Sequence, residues 1–226
     1  MADQQPQQQQ QQPQQQQSNQ TEESQVTWND ALEKVIASEG ERASGLAWLH
    51  TECELHYSNL NNYIALPVIC LSAINGFVSG ASSLIFGSNT NVSSLGVGGV
   101  SLLTALLSTV GSYFAWAKRT EGHRIGSIQY LKLSKFINME MALSRKERIR
   151  AKDMLKMVRE QSERLMEISP AIPTKFKALY NSKFHDIQDV SHPEVTNGIQ
   201  KVSIYKEEVV VAPETRNERI RITYVH

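Results

Sequence analysis

Between Tyr57 and Ala117 the chain contains no Asp, Glu, Lys, Arg or His, although charged residues make up 20% of the whole. A soluble core helix seldom runs that far without one charge, which weighs against a buried hairpin in a soluble protein. Cysteine is nearly absent as well: Cys53 and Cys70 are the two. On one helix they would lie about 25 Å apart, too far for a disulfide, so they say nothing of an oxidising compartment. Cys70 reads as a small lipid- or helix-facing residue. No apolar h-region follows Met1, so a secretory signal peptide is not expected, and the first apolar stretch would serve as its own uncleaved insertion signal. The formal net charge is zero. With no basic patch interleaved with aromatics, a nucleic-acid partner is excluded from the reading.

Catalytic patterns are also missing. The chain has no phosphate loop, no GxSxG, no HExxH and no CxxC. No enzyme activity, catalytic residue or cofactor is therefore expected. His50, His56, His123, His185, His192 and His226 are scattered without metal-ligand spacing. Glu52, Glu54 and His56 cluster before the charge-free region, but acidic residues at such a junction are ordinarily solvated, and no metal site is expected.

Two apolar stretches fill the gap, Tyr63–Phe86 and Val97–Ala117, separated by a polar loop at Gly87–Leu95. Each reaches the roughly 20 residues an α-helix needs to cross a hydrocarbon core about 30 Å thick. Helices satisfy every backbone N–H and C=O internally, as lipid demands. The pattern predicts an all-α membrane protein built on a two-helix transmembrane hairpin. Lys118, Arg119, Arg124, Lys132 and Lys135 follow the second stretch, whereas the loop is uncharged. The positive-inside rule then puts both termini in the cytosol. Tyr57, Tyr63, Tyr113, Phe114 and Trp116 fit an aromatic belt at that interface. Asn91 and Asn19 open glycosylation tripeptides, and only Asn91 would face a lumen.

Small residues recur on both stretches. Ser72, Gly76 and Gly80 repeat every four residues, a helix-packing face for close backbone approach. Ser101, Thr104, Ser108 and Ser112 lie with Ala105, Gly111 and Ala115 along a second stripe. Two arrangements follow. The stripes pack against each other within the hairpin, or the hydroxyls of Ser101, Thr104, Ser108 and Ser112 line a water path through a homo-oligomer. Pro67 lies near the cytosolic end of the first stretch, where a missing N–H costs least. Asn75 should face a helix or water rather than lipid. No charge lies inside either stretch, which argues against a transporter or a selective pump.

The flanks are polar. The Gln-rich segment 1–26 has too little apolar surface to fold and is expected to be disordered. A helix is predicted over Asn29–Asn62, capped by Asn29, with Ala31, Leu32, Val35, Ile36, Ala43, Leu46, Ala47, Leu49 and Leu55 at helical spacing. The second span is expected to continue as a helix to Met141. Glu121 and His123 follow its membrane exit, but an i, i+2 pair does not share a helix face, so coupling or packing suits them better than catalysis. A capping box at Ser144–Glu147 predicts a helix from there to Ile168, stopped at Ser169-Pro170. Its apolar face is Ala151, Leu155, Val158, Leu165 and Ile168, and its expected partner is the helix before the membrane. The tail 185–226 carries two runs that favour strands or a docking segment, Val202–Ala212 and Arg219–Val225.

Pro67, Ser72 and Gly76 in the first span, Gly96–Gly99, then Glu121, His123, Tyr130 and Leu133 after the second, and finally Ser169-Pro170-Ala171-Ile172-Pro173, form an order of elements. That order resembles the SLATT domain, the SMODS and SLOG-associating two-transmembrane effector family, over roughly residues 27–184. The resemblance implies a two-helix membrane domain flanked by cytosolic helices, acting as a pore-forming or membrane-perturbing effector beside nucleotide-producing or nucleotide-sensing partners. The Gln-rich head departs from a bacterial effector and fits a eukaryotic or large-virus source better. Two classes of function stand side by side. One is a homo-oligomeric effector in the lipid bilayer that opens on a cytosolic signal. The other is a membrane-anchored scaffold whose cytosolic helices recruit a protein partner.

Overall fold

The computed structural model describes residues 26–87, 90–187, 189–197 and Val202. Among them all regular structure is helical: α1 (Asp30–Gly80), α2 (Ser82–Phe86), α3 (Thr90–Phe114), α4 (Trp116–Met141), α5 (Ala151–Ile168), α6 (Thr174–Phe184) and α7 (Glu194–Asn197). The Gln-rich head and nearly all of the strand-favouring runs lie outside the described residues.

The helix expected over Asn29–Asn62 and the first apolar stretch are one continuous element. α1 runs for 51 residues with Pro67 inside it, about 77 Å at 1.5 Å per residue. Asn29 caps it, its side-chain oxygen accepting from Leu32 N at 2.8 Å. Such a cap satisfies one of the backbone donors that every helix start leaves open. Pro67 removes one N–H without ending the helix. The break comes later, at Ala81.

α3 starts at Thr90 rather than Val97, so residues 90–95 of the expected loop are helical. A polar first turn suits a helix start, where backbone donors lack partners along the chain. The second long helix is interrupted at its far end. Ala115 adopts φ 50°, the left-handed conformation, and divides α3 from α4. Within each of the two long helical regions lies a window apolar enough to cross a membrane, and no part of either window is buried within the protein. The two meet antiparallel: Ile64 approaches Gly111, and Asn75 Nδ2 donates to Ser101 Oγ at 2.8 Å.

The core lies beyond this apolar arm, in a polar-surfaced bundle where α1 packs chiefly on α4. One cluster joins Ile36, Ala43 and Ala47 of α1 to Tyr130, Leu133 and Ile137 of α4 and to Met154, Val158 and Leu165 of α5. α5 thus packs mainly on α4 rather than on α1 as expected. Met154 joins its buried face, and Ile168 is exposed. A second cluster gathers Leu49, Cys53 and Tyr57 under Phe176 and Tyr180 of α6.

The Ser144–Glu147 box does not start α5, which begins at Ala151. Its atoms form a single turn instead, with Ser144 Oγ donating to Glu147 Oε2 at 2.9 Å. The next residues are drawn to other partners. Arg148 donates to the Leu143 carbonyl at 2.8 Å and to Glu33 at 2.6 Å, while Trp28 Nε1 donates to the Ile149 carbonyl at 2.9 Å. Arg145 pairs with both Glu33 and Asp30. Hydrogen bonds from Arg145 are the first cause of the low Glu33 pKa, with help from Arg148, and the carboxyl is held at about 2.

Candidate functional site at the histidine junction

Where the bundle meets the apolar arm, α1 and α4 each present a histidine to the other. His50 Nδ1 and His123 Nδ1 lie 2.8 Å apart, and each residue is 1% exposed. One nitrogen must donate and the other accept, so the contact holds one proton between two rings. Tyrosines close the stack at both ends. Tyr130 stacks on His50 at 5.5 Å between centroids, and Tyr57 on His123 at 5.5 Å. The order through the site is Tyr130, His50, His123, Tyr57.

The sequence builds this arrangement twice. His50 precedes Tyr57 by seven residues on α1, and His123 precedes Tyr130 by seven on α4. Seven residues make about two helical turns, so each histidine and its tyrosine share a face. Antiparallel pairing of two such helices sets each histidine against the other helix's tyrosine. The tight fit needs Gly126, where a Cβ would lie 3.2 Å from His50 Nδ1. Gly122 gives similar room to Pro170, 3.1 Å from where a Cβ would stand.

The surroundings disfavour charge. Burial first, then the neighbouring His123, pushes the His50 pKa down to about 4. Burial and then Arg119 lower that of His123. The Arg119 guanidinium lies 5.6 Å from the centroid of Tyr57. Burial also pushes the Cys53 thiol up to about 12, which leaves it a protonated, unreactive packing group. Glu121 takes no part. It is exposed and bonds Arg124 at 2.8 Å, on a different side of α4 from His123.

Of the small residues named from sequence, Ser72, Gly76 and Gly80 are exposed, and no atom lies within 4 Å of a Cβ placed on either glycine. The two stripes therefore do not meet within the pair. The contact seam uses half-buried Ile64, Val68, Leu71, Asn75 and Val78 against Val97, Val100, Thr104, Leu107 and Gly111. Thr104 falls in this seam, its hydroxyl donating to the Val100 carbonyl at 2.8 Å. Ser101 takes the Asn75 amide, and Ser108 and Ser112 face outward.

A second feature lies further along the bundle. Trp48, Ser134, Asn138, Tyr180, Phe184 and Val190 line a cavity of about 330 Å³. Residues 189–197 run beside it. Glu41 accepts from Ser191 N at 2.7 Å, and Tyr180 Oη meets His192 Nδ1 at 3.2 Å. His56 and Lys175 meet at 2.6 Å, apart from Glu52 and Glu54. Among the described residues no group of three or more His, Cys, Asp or Glu side chains is arranged to hold a metal ion. No family model, curated protein or solved structure matches the chain.

Sequence reasoning passed over His50 because its partner lies 73 residues away. The repeated histidine-to-tyrosine spacing of seven was the available signal.

Proposed function

We propose that this is an integral membrane protein whose two apolar helices cross the bilayer as a hairpin, with both termini and the bundle in the cytosol. The observation that carries this reading is the unburied state of both apolar windows. Contiguous apolar surface on this scale, with no charge from Tyr57 to Ala117, needs a partner other than water. The cations from Lys118 to Lys135 support the orientation.

Within that membrane the protein acts as a non-enzymatic, SLATT-like effector that self-associates and perturbs the bilayer on a cytosolic signal. Exposed Ser72, Gly76 and Gly80 leave a face open to close helix contact. Outward Ser108 and Ser112, with Ser101, supply the hydroxyl side of the path. The test is dye release from liposomes carrying the full chain, beside Ser108→Leu. Release by wild type and its loss in an equally well inserted variant is the expected result. Equal leakage from both removes the lining role.

A scaffold reading is favoured by a separate observation. Thr104 is committed to the seam and Ser101 to Asn75, which thins the polar face. A tethered scaffold releases no dye in either form, and the full chain in detergent retains its cytosolic partner.

A further inference from the structure

The membrane reading makes no use of the buried histidines. His50 and His123 are the most enclosed titratable rings in the bundle, and they sit on the two helices that lead into the apolar arm. At 2.8 Å the two Nδ1 atoms have room for one proton and none for a second. Flat tyrosine rings cover both outer faces. Eight residues before His123, Ala115 interrupts the long helix with its left-handed backbone.

We propose that His50 and His123 form an acid-sensitive latch between α1 and α4. In the closed form one proton is shared along Nδ1–H···Nδ1. Two protons taken from solvent, one on the bare Nε2 of the donor ring and one on the accepting Nδ1, leave each ring an imidazolium that can only donate. The hydrogen bond is lost and two like charges oppose each other in a closed site. The helices separate there, and α4 swings about Ala115 relative to α3. The latch belongs to α1 and α4, and it stands whether or not the apolar helices conduct.

The groups around the pair favour this direction. On α1 they are Tyr57 and the neutral Cys53 thiol; on α4 they are Tyr130 and Arg119. Arg119 is cationic and adds to the cost of a second positive charge. From α6, Lys175 Nζ meets His56 Nε2 at 2.6 Å, and it too is cationic. Glu121 spends its charge on Arg124, and Glu54 acts on Arg124 as well. The lowered pKa values of both histidines agree with a closed form that holds both rings neutral. Acidification is thus the trigger, and neutral pH the locked condition.

The experiment uses the full chain in lipid nanodiscs with Cys70→Ser, spin-labelled through Thr51→Cys and Ile125→Cys, both exposed positions flanking the pair. The label-to-label distance is measured by pulsed electron resonance from pH 8 to pH 4, with helix content followed by circular dichroism. The expected result is a lengthening on acidification with helix content retained, absent from the doubly non-titrating His50→Phe, His123→Phe chain. Should that chain misfold, histidine ¹⁵N shifts of the wild type decide. They must show one shared proton at neutral pH and two imidazolium rings over the pH range of the distance change. A distance unchanged while both rings protonate overturns the latch. So does a change that persists in the folded Phe variant, or one that coincides with loss of helix.

Discussion

Pro193 fills a notch on α1 that exists only because residue 45 is glycine. A Cβ at Gly45 would lie 2.6 Å from Pro193 Cγ and 2.8 Å from the Tyr180 hydroxyl. Pro193 is among the fully buried side chains, so the close approach falls on a packed ring. The contact fastens residues 189–197 to the bundle beside Glu41 and His192.

Gly45→Ala is therefore expected to displace this segment while leaving α1 intact. The methyl itself favours helix, by about 1 kcal/mol over glycine. Overpacking against a ring costs roughly 1–3 kcal/mol and prevails. Limited proteolysis should find new cleavage between Phe184 and Asn197, with a lower Tm. Unchanged protection would mean that Pro193 does not hold the segment.

Acid should weaken the bundle through the buried histidines. The folded His50 pKa lies near 4, below its ordinary 6.5. As pH falls the unfolded chain binds the proton first, so the stabilisation is complete above about pH 6.5 and is lost toward pH 4. At about 1.4 kcal/mol per pKa unit the loss is on the order of 3 kcal/mol by pH 4. Urea unfolding of the full chain in a fixed detergent, at pH 7.5 and pH 4, should show it. His50→Phe should flatten the dependence. An equal pH slope in that variant would assign the loss to other groups.

Ala115 holds the one positive φ among described non-glycine residues. Left-handed backbone costs an L-residue roughly 1–2 kcal/mol, and glycine escapes that cost. Ala115→Gly should raise thermal stability in detergent by about 1 kcal/mol. Destabilisation of that size would show that the methyl contributes more through packing than the conformation costs.

Different physical signals explain what the sequence discloses and what it hides. The apolar helices are legible because an absence of charge over such a length has few other causes. The Asn29 cap is legible because an amide cap acts within one turn. α5 starts at Ala151 and not at Ser144 because Arg148 and Ile149 answer to Glu33 and Trp28, more than 100 residues away. α6 went unpredicted because Phe176 and Tyr180 form a short face that has meaning only against Leu49, Cys53 and Tyr57. The small-residue faces were legible as faces, but sequence alone could not tell that Gly76 and Gly80 turn away from α3. The histidine pair was hidden for the same reason: its parts are local, and only the antiparallel docking of α1 on α4 joins them.

The central claim is that the unburied apolar helices belong in lipid. Its most direct test is flotation of the liposome-reconstituted chain after alkaline carbonate treatment. The protein is expected to float with the lipid and stay there in carbonate, as an inserted hairpin must. Recovery of the protein in the carbonate-soluble fraction, folded and lipid-free, would contradict it.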